Sequence, residues 1–150
     1  AEYINEIVPT PAMLPVDAKD RATVRSLSRF HDSRIEPVLR AYFGQVAPAN
    51  RDGDFIRDNA KLLQTRFDQL IKMVTPAPFL CGNTLSLADC GFAPSFAILN
   101  RLQSLLGFSI KLEESLRAYE IALGSHPSVK FELHTYYTAF DRWIAAKLNA

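Results

Sequence analysis

The stretch Phe79-Leu80-Cys81-Gly82-Asn83-Thr84-Leu85-Ser86-Leu87-Ala88-Asp89-Cys90 constrains this chain more than any other. Gly82-Asn83 marks a turn, and Ser86 to Asp89 marks a helix start. The Ser86 hydroxyl is expected to accept the backbone N–H of Asp89, while the Asp89 carboxylate accepts the N–H of Ser86. This is reciprocal capping, with Asp where Glu or Gln is usual. Leu85 just before the cap and Cys90 four residues after it fit a hydrophobic staple. The apolar run from Cys90 to Leu106 then reads as the buried central helix of a helical domain. Asp89 is structural in this reading, and Asp89→Ala is expected to cost about 0.5–2 kcal/mol with no direct effect on chemistry.

The rest of the chain supplies helices to surround it. Tyr3, Ile4 and Ile7 read as the last turns of a helix, and Val8-Pro9-Thr10-Pro11-Ala12-Met13-Leu14-Pro15 cannot continue it, because three prolines remove donors. Residues 1–16 are therefore read as the end of a preceding unit plus a linker, and 17–150 as one helical domain. Asp17 caps a long helix over about Ala18 to Gln45, kinked at Pro37, with Ala22, Leu27, Phe30 and Ile35 as its apolar positions. A loop from Gly44 to Gly53 leads to a second long helix, Asp54 to Val74, with Phe55, Leu62, Leu63, Phe67, Leu70 and Ile71 near the helical period. These two are expected to pack as an antiparallel pair. Gly91 and Pro94 in the central helix imply close packing and a mild bend, and Gly107 ends it. Two more helices complete the chain: about Leu112 to Leu123, with Leu116, Tyr119 and Ile121, and Val129 to Lys147, rich in aromatic residues. The fold class is all-α, a bundle of about five to six helices.

The 17 basic and 16 acidic residues form no run of either sign, which argues against nucleic acid and anionic membrane surfaces as partners. No apolar stretch reaches the roughly 18–20 residues needed to span a bilayer. Two cysteines, Cys81 and Cys90, make no disulfide framework and have no His or Cys at metal spacing, so reduced thiols in the cytoplasm and no metal are expected.

In order along the chain, several residues carry a family likeness: Tyr3-Ile4, then Leu14-Pro15 with Asp17, Arg21-Ala22 and Arg25. Phe79-Leu80-x-Gly82-x-x-Leu85-Ser86-Leu87-Ala88-Asp89 comes next, and His126-Pro127 stands before the last helix. The whole chain thereby resembles the C-terminal helical domain of the cytosolic glutathione transferase superfamily. The resemblance implies a thioredoxin-like N-terminal domain ahead of residue 17, which binds the co-substrate glutathione and carries the Tyr, Ser or Cys that activates its thiol. It implies a homodimer, a small electrophilic second substrate that is conjugated or isomerised, and no catalytic residue within this chain. Two other readings stay open: a non-catalytic protein-interaction module of the same fold, and a glutathione-dependent thiol reductase.

On the same likeness, the co-substrate wall draws on Arg25, Ser28, Arg29, Asp32 and Tyr136. The first four follow i, i+3, i+4, i+7 spacing and share one polar face, although such a face is most often simply solvated. His31, one turn from Leu27 and Ile35, reads as a satisfied buried histidine, and His126 as a turn residue. His134 has no acidic or cysteine partner at ligand spacing. Cys90 reads as a small hydrophobe; Cys81, beside a helix start, is expected to have at most a somewhat depressed pKa. Tyr136, Tyr137, Phe140 and Trp143 read as core aromatics of the last helix, which in this family borders the substrate cleft.

Overall fold

The computed structural model describes residues 1–149. Helix α1 (Glu2–Ile7) precedes the proline-rich segment, and α2 (Ala18–Phe30) starts at Asp17, whose carboxylate accepts from the N–H groups of Lys19 and Asp20 at 2.8 and 3.1 Å. The expected long helix is interrupted. A π-helical turn, His31–Ile35, separates α2 from α3 (Glu36–Ala41), and a short 3₁₀ segment, Tyr42–Gln45, closes the run. Pro37 has no N–H to offer the carbonyl one turn back, and Glu36 donates instead to the carbonyl of His31, five residues away. The kink thus takes the form of one inserted residue rather than a bend at the proline itself.

Helix α4 (Gly53–Met73) is capped by Asp52, which accepts from Asp54 and Phe55 at 2.9 and 3.1 Å. It packs against the π turn and α3. Asn59 Nδ2 donates to the Val38 carbonyl and Tyr42 Oη to that of Ile56, so the two strings of residues run in opposite directions as expected. The buried face of α4 is Ile56, Leu63, Phe67 and Leu70; Phe55 and Leu62 point to solvent, which moves the stripe off two expected positions.

Helix α5 (Phe92–Leu106) is central: it lies against α3, α6 (Glu114–Ser125) and α7 (Pro127–Leu148), and Phe92, Phe96, Leu99 and Leu102 are all buried. Full burial of a Leu or Phe stabilises by about 1.5–3 kcal/mol. Gly107 ends α5 in the left-handed conformation, φ 72°, where its N–H caps the Gln103 carbonyl. In α6 the apolar stripe is Leu116, Tyr119 and Leu123, and Ile121 is exposed, contrary to the expected set. Phe140 of α7 is buried and Trp143 stacks on it at 5.5 Å, while Phe131 is exposed. No strand is present among the described residues, and the class is all-α as the pattern predicts.

Candidate functional site

The capped turn before α5 is built differently from the expected box. Asp89 N–H bonds to the Ser86 carbonyl, not to its hydroxyl; the hydroxyl donates to Asp89 Oδ2 at 2.8 Å, and Ser86 N–H donates to the same oxygen at 2.7 Å. An anionic oxygen is a stronger acceptor than a shared backbone group, so the hydroxyl turns toward it. The other oxygen, Oδ1, accepts from Leu80 N–H at 3.1 Å and from the Tyr119 hydroxyl at 2.9 Å. Asp89 is 1% exposed, and four donors surround it. The α-helix proper begins only at Phe92. Cys90 is exposed, its Sγ 3.7 Å from the Ser86 carbonyl, so the staple's second half does not close over the core. Met13 joins this turn to the linker: its carbonyl accepts from Leu87 N–H at 2.9 Å, and its N–H bonds Asn5 Oδ1 at 2.7 Å.

Burial and the Asp89 charge both raise the Tyr119 phenol, which stays neutral and donates. Burial also pushes up both thiols. For Cys81 this reverses the expected depression: desolvation outweighs a hydrogen bond from Ser86, and Asp89 adds repulsion. Neither cysteine is an activated nucleophile.

Two cavities open beside this turn. The first, about 560 Å³, lies between Met13, the start of α5 and the first half of α7, where Leu85, Ala93, Val129, Leu133 and Ala139 give it an apolar lining with Glu132 as a charged member. The second, about 480 Å³, is polar: His31, Asp32, Glu36 and Arg40 meet Gly91, Ser95 and Ile98 of the facing segment. Pro94 and Tyr136 line both. Burial raises the Tyr136 hydroxyl, Arg40 opposing and Glu36 reinforcing the shift, so it too stays a neutral donor.

His31 forms the floor of the second cavity. It is 4% exposed; its Nδ1 lies 2.8 Å from Asp32 Oδ1 and its Nε2 lies 2.8 Å from Ser95 Oγ. The ring packs on Phe92 at 4.7 Å. A β-carbon at Gly91 would stand 2.5 Å from two ring atoms, so a residue without a side chain is what lets the ring lie against α5's entry. The histidine is satisfied, as its spacing suggests, and it also faces a cavity.

Of the five residues proposed for the co-substrate wall, Asp32 and Tyr136 come together here. Ser28 and Arg29 line neither cavity, and Arg25 is paired with Glu2 through two contacts of 2.7 Å. Arg25, Ser28 and Arg29 belong to α2, ahead of the π turn, whereas Asp32 lies within it beside Gly91 and Ser95. Sequence reasoning missed Ser95, Glu36 and Arg40. The last two continue the i+4 series from Asp32 beyond Pro37, a signal that ended at the expected kink.

The helical arrangement resembles that of solved glutathione transferases, with its polar groups gathered at the entry of the central helix. No family model matches the chain. It is similar to the maleylacetoacetate isomerase of Mus musculus, 29% identical over 132 residues, which covers 84% of this chain and 59% of that protein. Among solved structures it resembles a maleyl pyruvate isomerase described as a bacterial glutathione S-transferase of the zeta class, with TM-score 0.65 and 25% identity over 86% of this chain and 62% of that one. Glutathione transferase Omega 3C from Trametes versicolor shares the fold at TM-score 0.70 and 20% identity, over 95% of this chain and 64% of its own. The chain thus spans about three fifths of the length of the curated relatives it matches. Among the described residues no helix is long and apolar enough to cross a membrane, and no group of three or more His, Cys, Asp or Glu side chains is arranged to hold a metal ion.

Proposed function

We propose that this chain supplies the co-substrate half of a cytoplasmic, homodimeric, glutathione-dependent enzyme that conjugates or isomerises a small electrophile. The observation that carries the reading is the pair of adjoining cavities meeting at Pro94 and Tyr136, one apolar and one lined by hydrogen-bonding groups. An electrophile has an apolar body and a polarised reacting end, and the two chambers suit those two parts. The names of the relatives support an isomerase within this group.

No described residue is assigned the thiol-activating role in this reading. A thiol must be drawn to thiolate near neutral pH by a donor or a positive charge. Cys81 and Cys90 are shifted the opposite way, and Tyr119 spends its hydroxyl on Asp89. In this reading a thioredoxin-like unit outside these residues binds and activates glutathione. The chain's own contribution is to receive the electrophile, with the neutral Tyr136 hydroxyl available to its developing negative charge.

The test is a conjugation assay with reduced glutathione and 1-chloro-2,4-dinitrobenzene, run on this chain alone. The expected result is no rate above the uncatalysed reaction. Turnover by the chain alone would sink the assignment, because activation would then lie within these residues.

A further inference from the structure

The contacts of His31 have a polarity that the co-substrate reading does not use. Asp32 is 60% exposed at its side chain, and an exposed carboxylate is ionised at neutral pH and can only accept. The proton on Nδ1 is therefore fixed, donated to Asp32 across 2.8 Å. In the neutral ring this leaves Nε2 with a free lone pair, and the Ser95 hydroxyl, 2.8 Å away, must be the donor. An ionised carboxylate holding Nδ1–H and a serine hydroxyl donating to Nε2 is the polarity by which a serine is made nucleophilic, and it is defined by geometry rather than by order in the chain. All three residues line the 480 Å³ cavity. The same cavity holds the neutral Tyr136 hydroxyl as a donor for an oxygen that becomes negative, while the Arg40 guanidinium is ion-paired with Glu36.

We infer that Ser95 is an acylatable nucleophile, with His31 as its general base and Asp32 as the positioning residue, and that the second cavity takes small, uncharged carboxylic esters. In the first step Ser95 Oγ bonds to the ester carbonyl carbon as His31 Nε2 takes the hydroxyl proton. The carbon–oxygen bond to the leaving group then breaks, and the imidazolium returns that proton to the departing alkoxide or phenoxide. Water, the second reactant, is deprotonated by His31 and attacks the acyl-serine; the carboxylic acid leaves and Oγ regains its proton. No oxidant, thiol or metal enters, so the activity is independent of glutathione.

The experiment uses the whole 150-residue chain with two probes, an alkyl fluorophosphonate and p-nitrophenyl acetate. The expected result is one phosphonyl adduct mapped to Ser95 by peptide mass. Ester hydrolysis should fall about 100-fold or more in Ser95→Ala, which keeps a small helix-compatible side chain and is checked for native circular dichroism. Asp32→Asn should slow acylation while moving the His31 ring proton between nitrogens, read from imidazole ¹⁵N shifts; a structural role alone would not move that tautomer. Equal hydrolysis by the wild type and folded Ser95→Ala, or an adduct on any residue other than Ser95, overturns the inference. Neither outcome touches the conjugation reading, whose assay needs glutathione.

Discussion

Two buried polar clusters sit within two turns of each other at the entry of α5, and they serve opposite ends. Around Asp89, four donors converge on two oxygens, and the Tyr119 hydroxyl and the Leu80 and Ser86 amides all find their partner there. Around His31 the two ring nitrogens are also engaged, yet the cluster opens on a 480 Å³ space with Arg40, Glu36 and Tyr136 around it. A saturated carboxylate joins a loop to two helices and has nothing left for a ligand. Both clusters are fully hydrogen-bonded and both border a cavity; what separates them is that four donors hold the Asp89 carboxylate, whereas each His31 ring nitrogen has a single partner.

The largest effect that can break this comparison is Asp89→Ala. The cap alone would cost about 0.5–2 kcal/mol, but the structure shows two buried amides and a buried phenol losing their acceptor, each worth about 1–3 kcal/mol. The expected loss is therefore about 3 kcal/mol or more, measured by urea unfolding. A loss below about 1 kcal/mol would show that the hub is not what holds the turn.

Gly91→Ala comes next. Its β-carbon meets the His31 ring at 2.5 Å, and an aromatic ring wedged between α5 and the π turn has little room to yield. Overpacking of this kind costs about 1–3 kcal/mol, and the same displacement should lengthen the His31 to Ser95 contact. An unchanged melting temperature would mean that the ring is free to move.

Tyr119→Phe removes one of the four donors and leaves Asp89 the others; about 1–2 kcal/mol should be lost at neutral pH. The sign with pH comes from the raised phenol. Its folded pKa lies above the unfolded value of about 10, so the folded state keeps a proton that the unfolded state releases. That stability is whole below about pH 10 and declines as pH climbs toward the folded value. Tyr42, pushed up to about 12 by burial, adds to the same decline. Wild-type stability should fall between about pH 10 and 12, with a shallower slope in Tyr119→Phe; parallel slopes would contradict the assignment. The smallest effect is Arg101→Ala, whose ion pair with Asp141 lies at the surface and is expected to contribute about 1 kcal/mol or less.

Much of the fold was legible because its signals are local. Asp17 and Gly107 mark helix boundaries by short-range chemistry, Ser86 with Asp89 marks a hydrogen-bonded turn that precedes α5 rather than its first residue, and Gly91 announced a close approach before its partner was known. The likeness to glutathione transferases came from the same capped turn. What escaped depends on long-range geometry. Leu80 and Tyr119 lie 9 and 30 residues from Asp89, so the hub cannot be read from a capping box. Ser95 is 64 residues from His31 and looks like any small residue on an apolar helix. Arg25, Ser28 and Arg29 line neither cavity although they share helical spacing with Asp32, because spacing gives a face and not the point along it where a cavity opens.

The central claim, that ligand enters the two cavities beside α5 and not the polar face of α2, is tested most directly by amide chemical shifts of the ¹⁵N-labelled chain titrated with 1,3-dinitrobenzene, an unreactive mimic of an aryl electrophile. The account predicts saturable shifts at Ala93, Ser95, Tyr136 and Ala139, with Arg25, Ser28 and Arg29 unmoved. Shifts confined to Arg25, Ser28 and Arg29, or none that saturate, would contradict it.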